Sequence, residues 1–249
     1  MNEDFTDFIE TAGLLNYDPE TISKIYQKNP KRLFKRLWQT LIPIFAYIFS
    51  VGWDKLTGKL KVETQARFRA KQLTNLLVDL GPAFVKAGQA LSTRPDIIPA
   101  VLLEELSELQ DQLPGFDGNK AMELIEEDLN SKIDEIFLSI DKEPISAASL
   151  GQVHKATLKN KEVVAVKVQR PGLREQITLD LYIVRNIACW LKDNIGLIRS
   201  DLVALIDELG KRVFEEMDYL NEADNAEKFR NMHAHNQKIA VPKIYKEIT

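Results

Sequence analysis

The sequence contains one cysteine, Cys189, so no internal disulfide can form and a disulfide-stapled secreted scaffold is excluded. Its three histidines are scattered and, with that cysteine, make no cluster of zinc-ligand spacing. Cys189 lies in the apolar run from Ile187 to Leu191, where it reads as a small core residue kept reduced. There is no excess of positive charge: 33 Lys and Arg stand against 37 Asp and Glu, for a net charge of −4. That balance, without any aromatic-plus-basic stretch, excludes a nucleic-acid binder. The acidic start "MNEDFTDFIE" lacks the character of a secretory or transit peptide, and the reading it supports is a protein on the cytoplasmic side. No internal repeat and no low-complexity tract occurs.

Long hydrophobic runs are also scarce. The longest, from Leu37 to Trp53, is 17 residues, contains Pro43, and sits at the lower length limit for a membrane-spanning helix. It has Trp38 and Trp53 near its ends and follows the basic cluster Lys28, Lys31, Arg32, Lys35 and Arg36. Two readings stay open, a peripheral contact with an anionic or prenyl-lipid membrane and a helix packed on the rest of the protein. Residues 1–37 carry short helical signals ahead of it.

From Val62 the pattern is strongly helical, with Leu73, Leu76, Leu77, Leu80 and Phe84 recurring at spacings of three and four. Gly81-Pro82 punctuates it, "AFVKAGQALSTRPDIIP" follows with Lys86 and Gln89 three apart, and further helices are expected in "VLLEELSELQDQL" and "GNKAMELIEEDL". The period then changes. Gln152 to Leu158 and Glu162 to Gln169 read as antiparallel strands joined by Lys159-Asn160-Lys161, a hairpin-sized link. Helical signals resume from Arg174, and "IAVPKIYKEIT" at the end reads as another strand. The fold class is α+β, with a helical segment ahead of a small antiparallel sheet.

Glycine is absent where a phosphate-cradling turn would be richest in it: "PISAASLGQVHKATL", residues 144–158, keeps only Gly151. Alanine lacks glycine's freedom at positive φ. Ala147, Ala148 and Ser149 are therefore expected to form a stiffer cover, with Gly151 where freedom is still required. The order turn, strand, "VAVK" in a second strand, then an acidic helix resembles a protein-kinase small lobe, in which the turn covers nucleotide phosphates and the strand lysine, here Lys167, holds two of them.

"KAGQ" at 86–89, "SAASLGQVHKA", "VAVKVQRPG" and "EMDYLNEADN" occur in this order, and together they resemble the UbiB family of atypical kinase-like proteins, also called the AarF or activity-of-bc-one-complex family. The resemblance covers residues 62–249 and leaves the first 60 outside. It implies three parts: an N-terminal region with the basic and apolar segment (1–61), a helical extension carrying the K-x-G-Q motif (62–130), and a kinase-like small lobe (131–249). It implies that the alanine-rich loop replaces the glycine-rich one, with Ala147, Ala148, Ser149, Gly151 and Lys167 binding ATP or ADP with Mg²⁺. It makes Glu216 and Asp218 an E-x-D pair meeting Lys86 and Gln89, and Glu222 the partner of Lys167.

Helix geometry bears on the acidic motif. On a straight helix Leu209, Val213, Glu216, Leu220 and Ala223 share one stripe, which puts a carboxylate amid apolar residues and in need of a partner, with Glu222 on another side. Which glutamate meets which lysine is left open by that geometry.

The catalytic-loop Asp and Asn and the metal-binding D-F-G Asp of a kinase are absent from the sequence. This chain alone is expected to have no turnover, and the metal ligands belong to a large lobe it lacks. For the intact protein the resemblance implies an ATPase or small-molecule kinase (a transferase) that supports isoprenoid-quinone or prenyl-lipid metabolism at a membrane. A rival of another class is a non-catalytic module that binds lipid or a partner through the basic and apolar segment.

Overall fold

The computed structural model describes residues 14–96, 98–110, 113–194 and 201–249 of the chain. The helical signals expected before Leu14 lie outside these residues, as do Asp111 and Gln112 of the expected "VLLEELSELQDQL" helix.

Proline and aspartate start the helices. Helix α1 (Pro19–Gln27) has Asp18 accepting from the Glu20 amide at 3.1 Å and proline at its first position, where no amide is needed. Helix α2 (Pro30–Leu56) also has proline at its first position and carries the apolar run unbroken through Pro43. Helices α3 (Glu63–Leu80) and α4 (Pro82–Ser92) meet at Gly81, whose φ of +111° suits glycine. A Cβ there would also fall 2.2 Å from the Gln176 amide nitrogen. Helix α5 (Ala100–Ser107) runs into a 3₁₀ turn (Glu108–Gln110), and α6 (Gly118–Leu129) is capped by Asp117 and ends on Asn130 at φ +46°.

The short helix α7 (Ile133–Ile136) leads into the sheet: β1 (Phe137–Ile140), β2 (Ser146–Ala147), β3 (Gly151–Leu158) and β4 (Val163–Gln169). Strand β3 is central. β4 pairs antiparallel along its length, from Gly151 opposite Gln169 to Thr157 opposite Val163. On its other edge β2 pairs near its start and β1 near its end. The alternation in β4 turns Val164, Val166 and Val168 toward a core shared with Ala121, Met122 and Ile125 of α6, and leaves Val163, Ala165 and Lys167 on the outer face.

Three long helices follow: α8 (Leu173–Asn194), α9 (Leu202–Met217) and α10 (Tyr219–Met232). The largest core joins α1, α8 and α9 through Ile22, Tyr26, Ile177, Leu181, Val213 and Phe214. A third core sets Val85 of α4 against Leu106 and Leu109. Arg36 of α2 ties the N-terminal helices to this body. It donates to both carboxylate oxygens of Asp180, at 2.6 and 2.8 Å, and to the Leu80 carbonyl. Burial pushes the Asp180 carboxyl up, and Arg36 opposes it.

The strand expected in the last residues is not formed. Residues 239–245 have no regular structure and Lys246–Ile248 is a 3₁₀ turn. Pro242 has no amide to give to a ladder. The segment instead covers the sheet with Tyr245 and Ile248, and Lys246 pairs with Asp224 and Glu227 of α10.

Candidate nucleotide site

The outer face of β4 and the α9–α10 junction enclose the site. Lys167, opposite Val153 in the β3–β4 register, reaches Glu222 of α10 at 2.5 Å. Its ammonium also stands 4.2 Å from the centre of the Tyr219 ring. Lys86, one turn into α4, pairs with Glu216 near the end of α9. Two lysines from separate elements thus meet two glutamates on either side of one helix break.

That break corrects the straight-helix reading. α9 ends at Met217, Asp218 takes φ −86° and ψ 87°, and α10 starts afresh at Tyr219. The Asp218 side chain caps α10, accepting from the Asn221 amide at 2.9 Å, and meets neither Lys86 nor Gln89. Aspartate is a preferred helix N-cap, and here capping won over continuation. Gln169 of β4 donates to the Met217 carbonyl and fastens the break to the sheet. In consequence Glu216 is not enclosed in an apolar stripe: it is half exposed, and Leu220 beyond the break is exposed.

Gln89 follows Lys86 on α4 yet serves another partner, donating to the Leu109 carbonyl at 2.7 Å. Between them Gly88 leaves room for close packing, since a Cβ would sit 2.5 Å from Leu109 Cδ1 and 2.8 Å from Leu77 Cδ1. The K-x-G-Q residues therefore divide their work: Lys86 faces the site, while Gly88 and Gln89 hold its helix to the neighbouring ones.

The turn from Pro144 to Gly151 is built differently from the expectation. Positive φ occurs at Gly58, Gly81, Asn130, Lys161 and Gly172 among the described residues, and at none of the turn's residues. Ala147 and Ala148 therefore sit unstrained, and Gly151 is required by space rather than by backbone freedom. A Cβ on Gly151 would lie 2.5 Å from the Val168 carbonyl oxygen and 2.7 Å from the Tyr219 hydroxyl. The turn closes on itself, with the Ala148 amide donating to the Gly151 carbonyl at 2.8 Å. Ser149 is buried.

Two residues that the sequence reasoning passed over complete this arrangement. Arg170, three positions after Lys167, donates to the Ala148 carbonyl at 2.9 Å and the Pro114 carbonyl at 2.6 Å, pinning the turn from outside. Its partial burial lowers its pKa. Tyr219 supports Lys167 and closes against Gly151; its buried hydroxyl has no hydrogen-bond partner, and burial, followed by the charges of Glu222 and Glu216, raises its pKa. Both lie inside "VAVKVQRPG" and "EMDYLNEADN", so their motif membership was the available signal.

Gln152 of β3 is an interior residue. It accepts from the Phe116 amide at 2.8 Å and meets His154 Nε2 at 3.0 Å. His154 Nδ1 faces the Asp141 carbonyl at 2.8 Å, and a carbonyl only accepts, so Nδ1 carries the proton and Nε2 accepts from Gln152.

The described residues gather no group of three or more His, Cys, Asp or Glu able to hold a metal ion. Glu216 and Glu222 are each engaged by a lysine, so these carboxylates do not make a divalent-cation cradle. Lys167 and the turn backbone do suit a phosphate chain: a cation on the outer sheet face lies beside a closed turn of small residues.

The model of the ABC1 atypical kinase-like domain matches residues 108–249. A Synechocystis protein described as uncharacterized, sll0005, is 49% identical over 233 residues, which is 94% of this chain and 34% of that protein. The Arabidopsis thaliana protein named ACTIVITY OF BC1 COMPLEX KINASE 3, chloroplastic, is 42% identical over 234 residues, 94% of this chain and 33% of its own length. The chain thus spans about a third of the length of these two curated relatives. A solved Mycobacterium tuberculosis structure, a complex with erythromycin, is 33% identical with a TM-score of 0.46, over 76% of this chain and 47% of that one.

Proposed function

The chain belongs to the ABC1 atypical kinase-like family, and from that premise we propose that it supplies the phosphate-binding half of an ATP site whose remainder lies in the longer protein. The pairing of Lys167 with Glu222 beside the alanine-rich turn carries this reading. Lys167 takes the nucleotide phosphates, the backbone of Ala147, Ala148, Ser149 and Gly151 covers them, and Glu222 holds the lysine in reach. Lys86 and Glu216 form a second pair, through which residues 62–130 act as an extension that borders the small lobe of residues 131–249, with Gln89 and Asp218 holding the helices that carry the pair.

Mg²⁺ would enter with ATP or ADP and neutralise phosphate charge, held by residues outside this chain. With the turn pinned by Arg170 and unable to slide, the site favours one nucleotide pose. The intact protein then acts as an ATPase or small-molecule kinase in isoprenoid-quinone or prenyl-lipid metabolism at a membrane.

The test is turnover by the intact protein with ATP and Mg²⁺, with and without a polyprenylated phenol. Formation of ADP that the prenylated compound increases is the expected result. Nucleotide binding without ADP formation under either condition would contradict an enzymatic role and favour a non-catalytic lipid- or partner-binding module.

A further inference from the structure

Helix α2 packs Leu33 and Leu37 on the main core but also turns a line of polar residues inward. Arg36, Thr40, Tyr47 and Asp54 lie within about 40° of one another around its axis at 100° per residue, and all four face the protein. Thr40 is buried, Tyr47 donates to the Arg69 carbonyl at 3.2 Å, and Asp54 accepts from Gln65 and Arg69, each at 2.6 Å. On the opposite side Phe34, Trp38, Ile42, Phe45, Phe49 and Trp53 are between 49% and 72% exposed. They span an arc of about 100° and a length of about 29 Å. A soluble helix with polar residues inward and aromatic residues outward has an apolar stripe that water does not suit.

Charge selects the occupant. No Asp or Glu occurs from Pro30 to Trp53. Exposed Lys31 and Lys35 flank one end of the stripe, and exposed Lys55, Lys59 and Lys61 the other. A second copy laid along the stripe, parallel or antiparallel, would bring lysines against lysines at both ends. An anionic bilayer surface satisfies both ends together and takes the aromatic residues between them, with Trp38 and Trp53 at the depth indole prefers. No helix among the described residues is long and apolar enough to cross a membrane, so α2 lies along the surface.

We infer that α2 is a surface-lying anchor for anionic lipid, its Phe34–Trp53 stripe entering the interface while Arg36 and Asp54 hold its inner face to the body of the protein. This deepens the membrane part of the proposed function and rests on it. It also sets the orientation, because the face opposite the stripe is bonded to α3 and α8 through Arg69 and Asp180.

The test is co-sedimentation of the intact protein with phosphatidylcholine vesicles, with and without phosphatidylglycerol. Two variants are compared with the parent: Trp38→Ser/Phe45→Ser/Phe49→Ser and Lys31→Glu/Lys35→Glu. All these side chains are exposed, so the unfolding midpoint is expected to hold and is measured alongside. The parent is expected to bind the phosphatidylglycerol vesicles and to be released by salt, and each variant to lose about tenfold or more in binding. Binding by both variants equal to the parent's would overturn α2 as the anchor and leave the membrane reading standing. A parent that ignores every vesicle overturns both readings; if it also forms a dimer that the triple serine variant dissolves, the stripe belongs to a second copy.

Discussion

At the residue scale, crowding fixes Gly151: the Val168 carbonyl and the Tyr219 hydroxyl occupy the space of a side chain. Gly151→Ala is therefore expected to destabilise the protein by about 1–3 kcal/mol, the range for overpacking, as read from denaturant unfolding. Ala147→Gly should cost less than about 1 kcal/mol, because φ there is ordinary and only unfolded-state entropy changes. Equal effects of the two would show that the crowding at Gly151 relaxes freely. The identity of the important glycine was legible because motif position marks it. Its cause was not, since crowding by Tyr219 comes from a residue 68 positions away.

At the element scale, the helix break at Asp218 sends Glu216 and Glu222 to different lysines. The periodicity of α3, α4, α6 and the β3–β4 hairpin was readable because each buries one face with its own regular spacing. The break was not foreseen, because Leu220 and Ala223 continue the apolar spacing across a residue that caps. A double-mutant cycle of Lys86→Met with Glu216→Gln should show coupling of about 0.5–1 kcal/mol in unfolding free energy, held low by the half exposure of Glu216. Additive effects would mean that the pair contributes nothing. The α2–α3 contact carries a pH signature. Hydrogen bonds from Arg69 and then Gln65 hold the Asp54 carboxyl below the usual aspartate range. A depressed folded value stabilises above the ordinary value of about 4 and the contribution is lost as pH falls through the lower folded value. Asp54→Asn should accordingly flatten the acid limb of stability measured across that range; an unchanged limb would remove Asp54 from it.

At the scale of the whole molecule, the helices of the first half and the small sheet each reach the α9–α10 junction through one lysine–glutamate pair, Lys86–Glu216 and Lys167–Glu222, and the outer face of β4 is left open beside the turn. Motif order made the family and the residues of this meeting place legible. The C-terminal segment was misread because a β-rich composition says nothing about whether a partner edge exists, and Pro242 could not join one. Lys167 is the proposed phosphate contact. That role is tested by titrating ATP and ADP, with Mg²⁺ present, into the intact protein and its Lys167→Ala variant. Since Lys167 is exposed and its removal leaves the core intact, the unfolding midpoint should stay close to the parent's. The expected result is a loss of affinity of about tenfold or more for at least one of the nucleotides, equivalent to about 1.4 kcal/mol or more; affinities for both that match the parent's would remove Lys167 from that role.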